Sequence, residues 1–272
     1  AVSVDVSPVF EAAGGHDKSV SKGGDNIAMM VLHDPQIIFL KSRKTAGSSI
    51  EVALSAFARE GDVIAPIDAG EAGDDEVRAK YGYAGPQNYR KSLFELLWTP
   101  TYRDLRDLIK GKPLLKFHNH CAARRARRHL DRNVWQSYLK ISVVRNPWDY
   151  MVSSYYWGNR DKLKLPDFET WCLDNRRLIT RNRRQYFIGR YCVVDRFLRF
   201  ENLQQDLREL ERERPMLEGL ADIFATTSAK KGIRPETGPS VAELFDRAPR
   251  VDCLIAELCS FEIERFGYQR PQ

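Results

Sequence analysis

The chain of 272 residues predicts an α/β domain, a central, mainly parallel sheet flanked by helices in three layers. Two apolar runs lead to that expectation, Gln36-Ile37-Ile38-Phe39-Leu40 and Tyr138-Leu139-Lys140-Ile141-Ser142-Val143-Val144. Each passes through a polar segment into residues with helical spacing, the order that builds a parallel sheet covered on both faces. Composition agrees, since 43% hydrophobic and 29% charged residues suit a globular chain with one sizeable core.

Residues 1–30 carry Gly14-Gly15 and Gly23-Gly24 with little periodicity and read as a loosely held arm. Residues 31–272 read as one domain. The first strand leads through a polar loop, residues 41–47, into a helix marked by Ile50, Ala53, Leu54 and Phe57 behind serine caps. Residues 61–87, rich in Gly, Asp and Ala, read as an insertion or long loop. A second strand is expected at 113–117, running into His118-Asn119-His120, and then a basic helix over 121–130. Arg145-Asn146-Pro147 ends the third strand, and a proline so placed opens a helix over 148–157. A fourth strand is expected over 193–200, with a helix from Asn202, a loop over 226–240, and a closing helix over 249–266 ended by Gly267.

A net charge of +6 suits an anionic ligand and equally a solvated basic surface. No apolar run is long enough to cross a bilayer. Ala1-Val2-Ser3-Val4-Asp5 lacks a basic region followed by an apolar one, so no secretory signal is expected. Cys121, Cys172, Cys192, Cys253 and Cys259 are odd in number, far apart and without a CxxC pair. They read as free thiols in a reducing, cytoplasmic setting, with no zinc or redox motif.

Two segments point to chemistry. Arg43-Lys44-Thr45-Ala46-Gly47-Ser48-Ser49 follows a strand and opens a helix, where unpaired N–H groups and a positive dipole end attract phosphate. Lys44 adds full charge, and Thr45, Ser48 and Ser49 add hydroxyl donors. The arrangement is P-loop-like, but the lysine precedes the only glycine, so it is not the Walker pattern. In the second segment, Arg145 at a strand end and Ser153 eight residues on, two helical turns later, can face one anion together. The plain alternative is an arginine in a structural ion pair and an ordinary helix serine.

The first segment resembles the 5′-phosphosulfate loop of the sulfotransferases, and the second resembles their 3′-phosphate-binding segment. The likeness is to the carbohydrate-type, membrane-associated branch, of uronyl 2-O type, and its soluble bacterial relatives, over residues 36–268. It implies a donor, 3′-phosphoadenosine 5′-phosphosulfate (PAPS), with 3′,5′-ADP as product, and transfer to an acceptor hydroxyl, expected on a glycan, without a metal. His118-Asn119-His120 is similar to that branch's His-x-His. One of the two then takes the acceptor proton, His120 being the first candidate, and neutral-range pKa suits a histidine to the task. Lys230-Lys231-Gly232 is similar to the Arg-Lys-Gly that closes over the 3′-phosphate in cytosolic relatives, and fits a solvated turn as well.

Further readings stay open. Arg124, Arg125, Arg127 and Arg128 form either a solvated face or a grip on an acidic glycan. Tyr155-Tyr156-Trp157 fits a sugar groove or plain core. A P-loop nucleoside or sugar kinase is the nearest rival, followed by a nucleic-acid-binding module, although no nucleic-acid partner is expected.

Overall fold

The computed structural model describes residues 29–66, 74–98, 100–117, 121–227, 235 and 237–272. The first half runs β1 (Met29–Leu32), β2 (Ile37–Leu40), α1 (Gly47–Ser55), β3 (Val63–Ile64), α2 (Asp74–Lys80), α3 (Leu93–Trp98), α4 (Tyr102–Ile109), α5 (Ala123–His129) and α6 (Arg132–Ser137). Then come β4 (Leu139–Val144), α7 (Pro147–Gly158), α8 (Phe168–Asp174), α9 (Arg183–Tyr186), β5 (Phe187–Ile188), β6 (Tyr191–Cys192) and β7 (Arg196–Arg199). Five helices close the chain: α10 (Leu203–Glu213), α11 (Leu220–Thr227), α12 (Val241–Asp246), α13 (Pro249–Leu258) and α14 (Ser260–Phe266).

The main sheet has five strands in the order β3-β1-β2-β4-β7. Successive residues of a strand point to opposite faces, and here both faces are covered. Met30, Leu32, Ile37 and Phe39 join a core with Ile50 and Leu54 of α1, Leu207 of α10 and Phe224 of α11. Met29, Val31, Ile38 and Leu40 join another with Ala123 and Ala126 of α5 and Tyr186 of α9. That double covering explains why β2 reads as an unbroken apolar run rather than an alternating one. A third core gathers α7, α8, α12 and α13 around Met151, Cys172 and Phe245.

The sheet is mixed, so the mainly parallel expectation holds only for part of it. β2–β4 and β4–β7 pair parallel, whereas β1–β2 and β1–β3 pair antiparallel. The cause is β1, which begins at Met29 inside the segment read as an arm and folds back onto β2 through a tight turn with Gln36 at φ 53°. Residues 113–117 join no strand of the main sheet; they meet the 89–91 segment in an isolated antiparallel bridge between Arg90 and Leu115, with Lys91 N–H to Leu114 O at 2.9 Å and Lys116 N–H to Tyr89 O at 2.9 Å. The 61–87 stretch holds β3 and α2, and Ile64 bridges to Gln87. The closing helix is two helices broken at Cys259, with left-handed Gly267 behind the second. Among the described residues no helix is long and apolar enough to cross a membrane. All five cysteines are free, three of them buried.

Candidate functional site

β2, β4 and β7 run parallel side by side, so their carboxyl ends open onto one edge of the sheet. Ligands of open α/β sheets gather at such an edge. The loop after β2 is fastened there from three sides. Ser42 Oγ donates to Val143 O of β4 at 2.5 Å. The Asn182 side chain clamps Arg43, accepting from its N–H at 2.9 Å and donating to its carbonyl at 3.1 Å. Under the loop, Lys41 Nζ reaches Glu51 Oε2 at 2.6 Å and Ser48 Oγ at 3.0 Å, with both charged groups buried. Gly47 packs against this lysine so closely that a Cβ there would lie 2.7 Å from Lys41 Cγ.

The loop backbone is strained in a useful sense. Lys44 and Ala46 are left-handed, with φ of 56° and 57°, a conformation costing a non-glycine residue about 1 kcal/mol. Left-handed residues among right-handed ones gather successive N–H groups into an anion-binding hollow. Ala46 is also the N-cap of α1 and offers no side-chain cap, which leaves the first-turn N–H groups of Gly47, Ser48 and Ser49 for another acceptor. The expected serine caps are therefore corrected: Ser48 and Ser49 lie inside the first turn. Thr45 is corrected too. Its hydroxyl is turned inward, 2.8 Å from Ser42 Oγ and 3.2 Å from Ser42 O, and staples the loop rather than facing a ligand. Ser48 accepts from Lys41 and keeps its O–H to give.

Arg145 joins the three strand ends. Its Nη1 donates to Lys44 O at 2.7 Å, its guanidinium lies 3.9 Å from the centre of the Phe200 ring just past β7, and Asp149 one turn into α7 takes its side edge. Nε and Nη2 lie 2.7 and 2.6 Å from Asp149 Oδ2. The bidentate fork expected to hold an anion is thus occupied by Asp149. A guanidinium carries five N–H bonds, so one on Nη1 and one on Nη2 are left. Ser153, one turn beyond Asp149, is half-buried and its hydroxyl has no hydrogen-bond partner among the described residues.

Trp157, four residues after Ser153, continues the same face of α7 and meets the loop: Lys44 Nζ sits 3.7 Å from its ring centre, and Arg160 4.5 Å from it. Tyr155 and Tyr156 are buried core. The spacing Arg145, Asp149, Ser153, Trp157 was the signal for both missed members, since residues four apart share a helix face. Asn182 carried no sequence signal. Burial pushes the Tyr150 phenol up, offset in part by Ser154 and then by the charges of Arg181 and Arg43.

His118, His120, Lys230, Lys231 and Gly232 lie outside the described residues. Of the four arginines of α5, Arg125 is spent on structure, donating to Leu115 O and Lys116 O at 2.7 and 2.9 Å, while Arg124, Arg127 and Arg128 are exposed. No cluster able to hold a metal occurs among the described residues. A groove of about 410 Å³ is lined by residues of β7, α10 and α14 and by none of the loop, and two of its arginines are already paired, Arg196 with Glu209 and Arg199 with Asp206. No family model, curated protein or solved structure matches this chain.

Proposed function

We propose that this protein is a sulfotransferase that moves a sulfuryl group from PAPS to an acceptor hydroxyl, expected on a carbohydrate. The observation that carries the reading is the contact between its two anion motifs: Arg145 donates directly to the Lys44 carbonyl, so both lie at one end of the sheet. A nucleotide with phosphates at its 3′ and 5′ positions needs two cradles within its own length. The donor groups here fit such a ligand. First-turn N–H groups of α1, Lys44 and the Ser48 hydroxyl suit the phosphosulfate end; the two remaining N–H bonds of Arg145 and the Ser153 hydroxyl suit the 3′-phosphate.

In that role, PAPS supplies an activated sulfuryl group. The acceptor oxygen bonds to sulfur as the bond from sulfur to the bridging phosphate oxygen breaks, and the acceptor proton passes to His120 or His118. Lys44 and the α1 N-terminus offset the charge that grows on the departing phosphate, the effect that dominates group transfers of this kind. A sulfuryl group carries less negative charge than a phosphoryl group. A lysine and backbone donors therefore suffice in this reading where kinases need Mg²⁺. The left-handed loop holds those donors in place before the reaction starts, so no reorganisation is left for the transition state.

Titration calorimetry tests the class. Binding of 3′,5′-ADP without added metal, with ATP plus Mg²⁺ giving no comparable heat, is the expected result. Binding of ATP plus Mg²⁺ alone would put the kinase in its place.

A further inference from the structure

The helices α3 and α4 are joined by residues 99–101 and break the usual rule of amphipathic packing. On α4, Tyr102, Leu105, Leu108 and Ile109 share one arc, while Asp104 and Asp107 share the opposite one. A surface helix turns its apolar arc to the core. This one turns it outward. Phe94 and Leu97 of α3 and those four residues of α4 are between 54% and 85% exposed.

The acidic arc faces inward instead. Asp104 is buried and accepts from Lys91 Nζ at 2.7 Å, and a capping box with Thr101 fixes the start of the helix. Burial opposes ionisation of Asp104, but hydrogen bonds from Lys91 and Thr101 hold its carboxyl below the usual carboxylate range. The helix is therefore seated by a charged pair, and its outward apolar face is part of the fold.

The charge around this face is one-sided. Residues 90–128 contain eleven cations and three acids, a net +8 where the whole chain has +6. The acids are all engaged with cations: Asp104 with Lys91, Asp107 with Arg106, and Glu95 with Lys116. Arg90, Lys110 and Lys112 are exposed on the same segment. On the neighbouring α5, tied in through the Arg125 bonds to Leu115 and Lys116, Arg124, Arg127 and Arg128 are exposed too.

We propose that the α3–α4 hairpin is a docking surface for an anionic lipid bilayer, its apolar crest entering the headgroup boundary and its cations resting on the charged surface. An apolar arc flanked by Lys and Arg is the composition that lies in such an interface. A second copy of the chain would bring a second +8 segment against the first, and like charges oppose that pairing. A nucleic acid would satisfy the cations but offers little to a crest of Leu and Ile. The inference stands on this geometry and is independent of the sulfuryl-transfer reading.

Co-sedimentation of the full chain with vesicles tests it. Vesicles of phosphatidylserine and phosphatidylcholine should capture the protein, with binding that weakens as salt rises. Phosphatidylcholine alone should bind it at least about tenfold less well. Leu105→Ser with Ile109→Ser should weaken capture by about tenfold or more, since both residues are exposed and the lost contacts are those with lipid. A Lys110→Gln, Lys112→Gln variant, chosen so that the test survives if the serine variant misfolds by near-ultraviolet circular dichroism, should weaken capture only on the anionic vesicles. Absence of capture, equal capture on both vesicle types, or unchanged capture by a folded serine variant overturns the proposal. So does a dimer in lipid-free light scattering that the serine variant splits, or an RNA that competes the protein off the vesicles.

Discussion

The parallel strand ends and the α3–α4 hairpin handle polar groups in opposite ways. At the strand ends nearly every polar side chain is committed, Ser42 to β4, Thr45 to Ser42, Lys41 to Glu51 and Asn182 to Arg43. What remains open is a set of backbone N–H groups, two N–H bonds of one guanidinium and the hydroxyls of Ser48 and Ser153. At the hairpin the polar side is sunk against the fold through Lys91 and Asp104, and the apolar side is what remains. On the proposed reading, the first region holds a small anion in fixed geometry. The second presents area without geometry, which suits an extended partner. Both depart from local rules, the first in backbone conformation and the second in which face is buried, and such departures are where function is sought.

Substitutions can break this contrast at graded strength. Lys44→Ala should show the largest effect. On the sulfuryl-transfer reading it removes charge beside the departing phosphate and should lower kcat about 10²- to 10³-fold, about 3–4 kcal/mol of barrier, while urea unfolding stays close to wild type. Full sulfuryl-transfer activity in that variant would end the role given to Lys44. Arg145→Ala should cost both binding and stability. It removes the ion pair with Asp149 and unties three strand ends, so about 2–3 kcal/mol of unfolding free energy should go with most of the affinity for 3′,5′-ADP. A loss of affinity with unchanged stability would show that the three-way junction does not hold the sheet edge.

The smallest effect concerns pH, behind the hairpin. Burial, with Arg125, Lys91 and Arg128 nearby, pushes the His129 ring down from its ordinary 6.5 to about 4. A histidine whose folded pKa is depressed stabilises the fold while neutral. Stability should therefore be complete above pH 6.5 and fall as pH drops from 6.5 to about 4, where the unfolded chain takes up the proton first. About 1–2 kcal/mol should be lost, less than the full shift implies because water still screens part of the ring. His129→Leu should flatten that part of the curve. An unchanged slope between pH 6.5 and 4 would show that another group sets it.

Much of the site was legible because it is local. A strand, a loop with Lys44 and Gly47, and a helix can be read from neighbours in sequence, and so can β4 with Arg145 and Pro147. Their mutual contact was expected only through the shared edge of a parallel sheet. The mixed sheet escaped notice because Met29–Leu32 sits among glycine-rich residues and its pairing with β2 is set by a turn at Gln36 that carries no glycine. Residues 113–117 have a strand's apolar pattern, and they do pair, but with residues 89–91 in an isolated bridge rather than with the main sheet. The occupied fork of Arg145 follows from Asp149 four residues on, a spacing visible from the start but weighed only for Ser153. The hairpin had its own signal in Thr101 and Asp104, a capping pattern ahead of apolar residues at helical spacing. Its inverted orientation depends on Lys91 and could not be read from periodicity alone.

The left-handed residue at the head of α1 has a consequence for how this loop can change over evolution. At position 46 a glycine relaxes the backbone, an asparagine keeps the bend at modest cost, and a valine or isoleucine cannot adopt it. Gly47 is closed to any side chain while Lys41 stays beneath it. Relatives that keep this loop should therefore vary together at 41 and 47, and interchange only small or amide-bearing residues at 46.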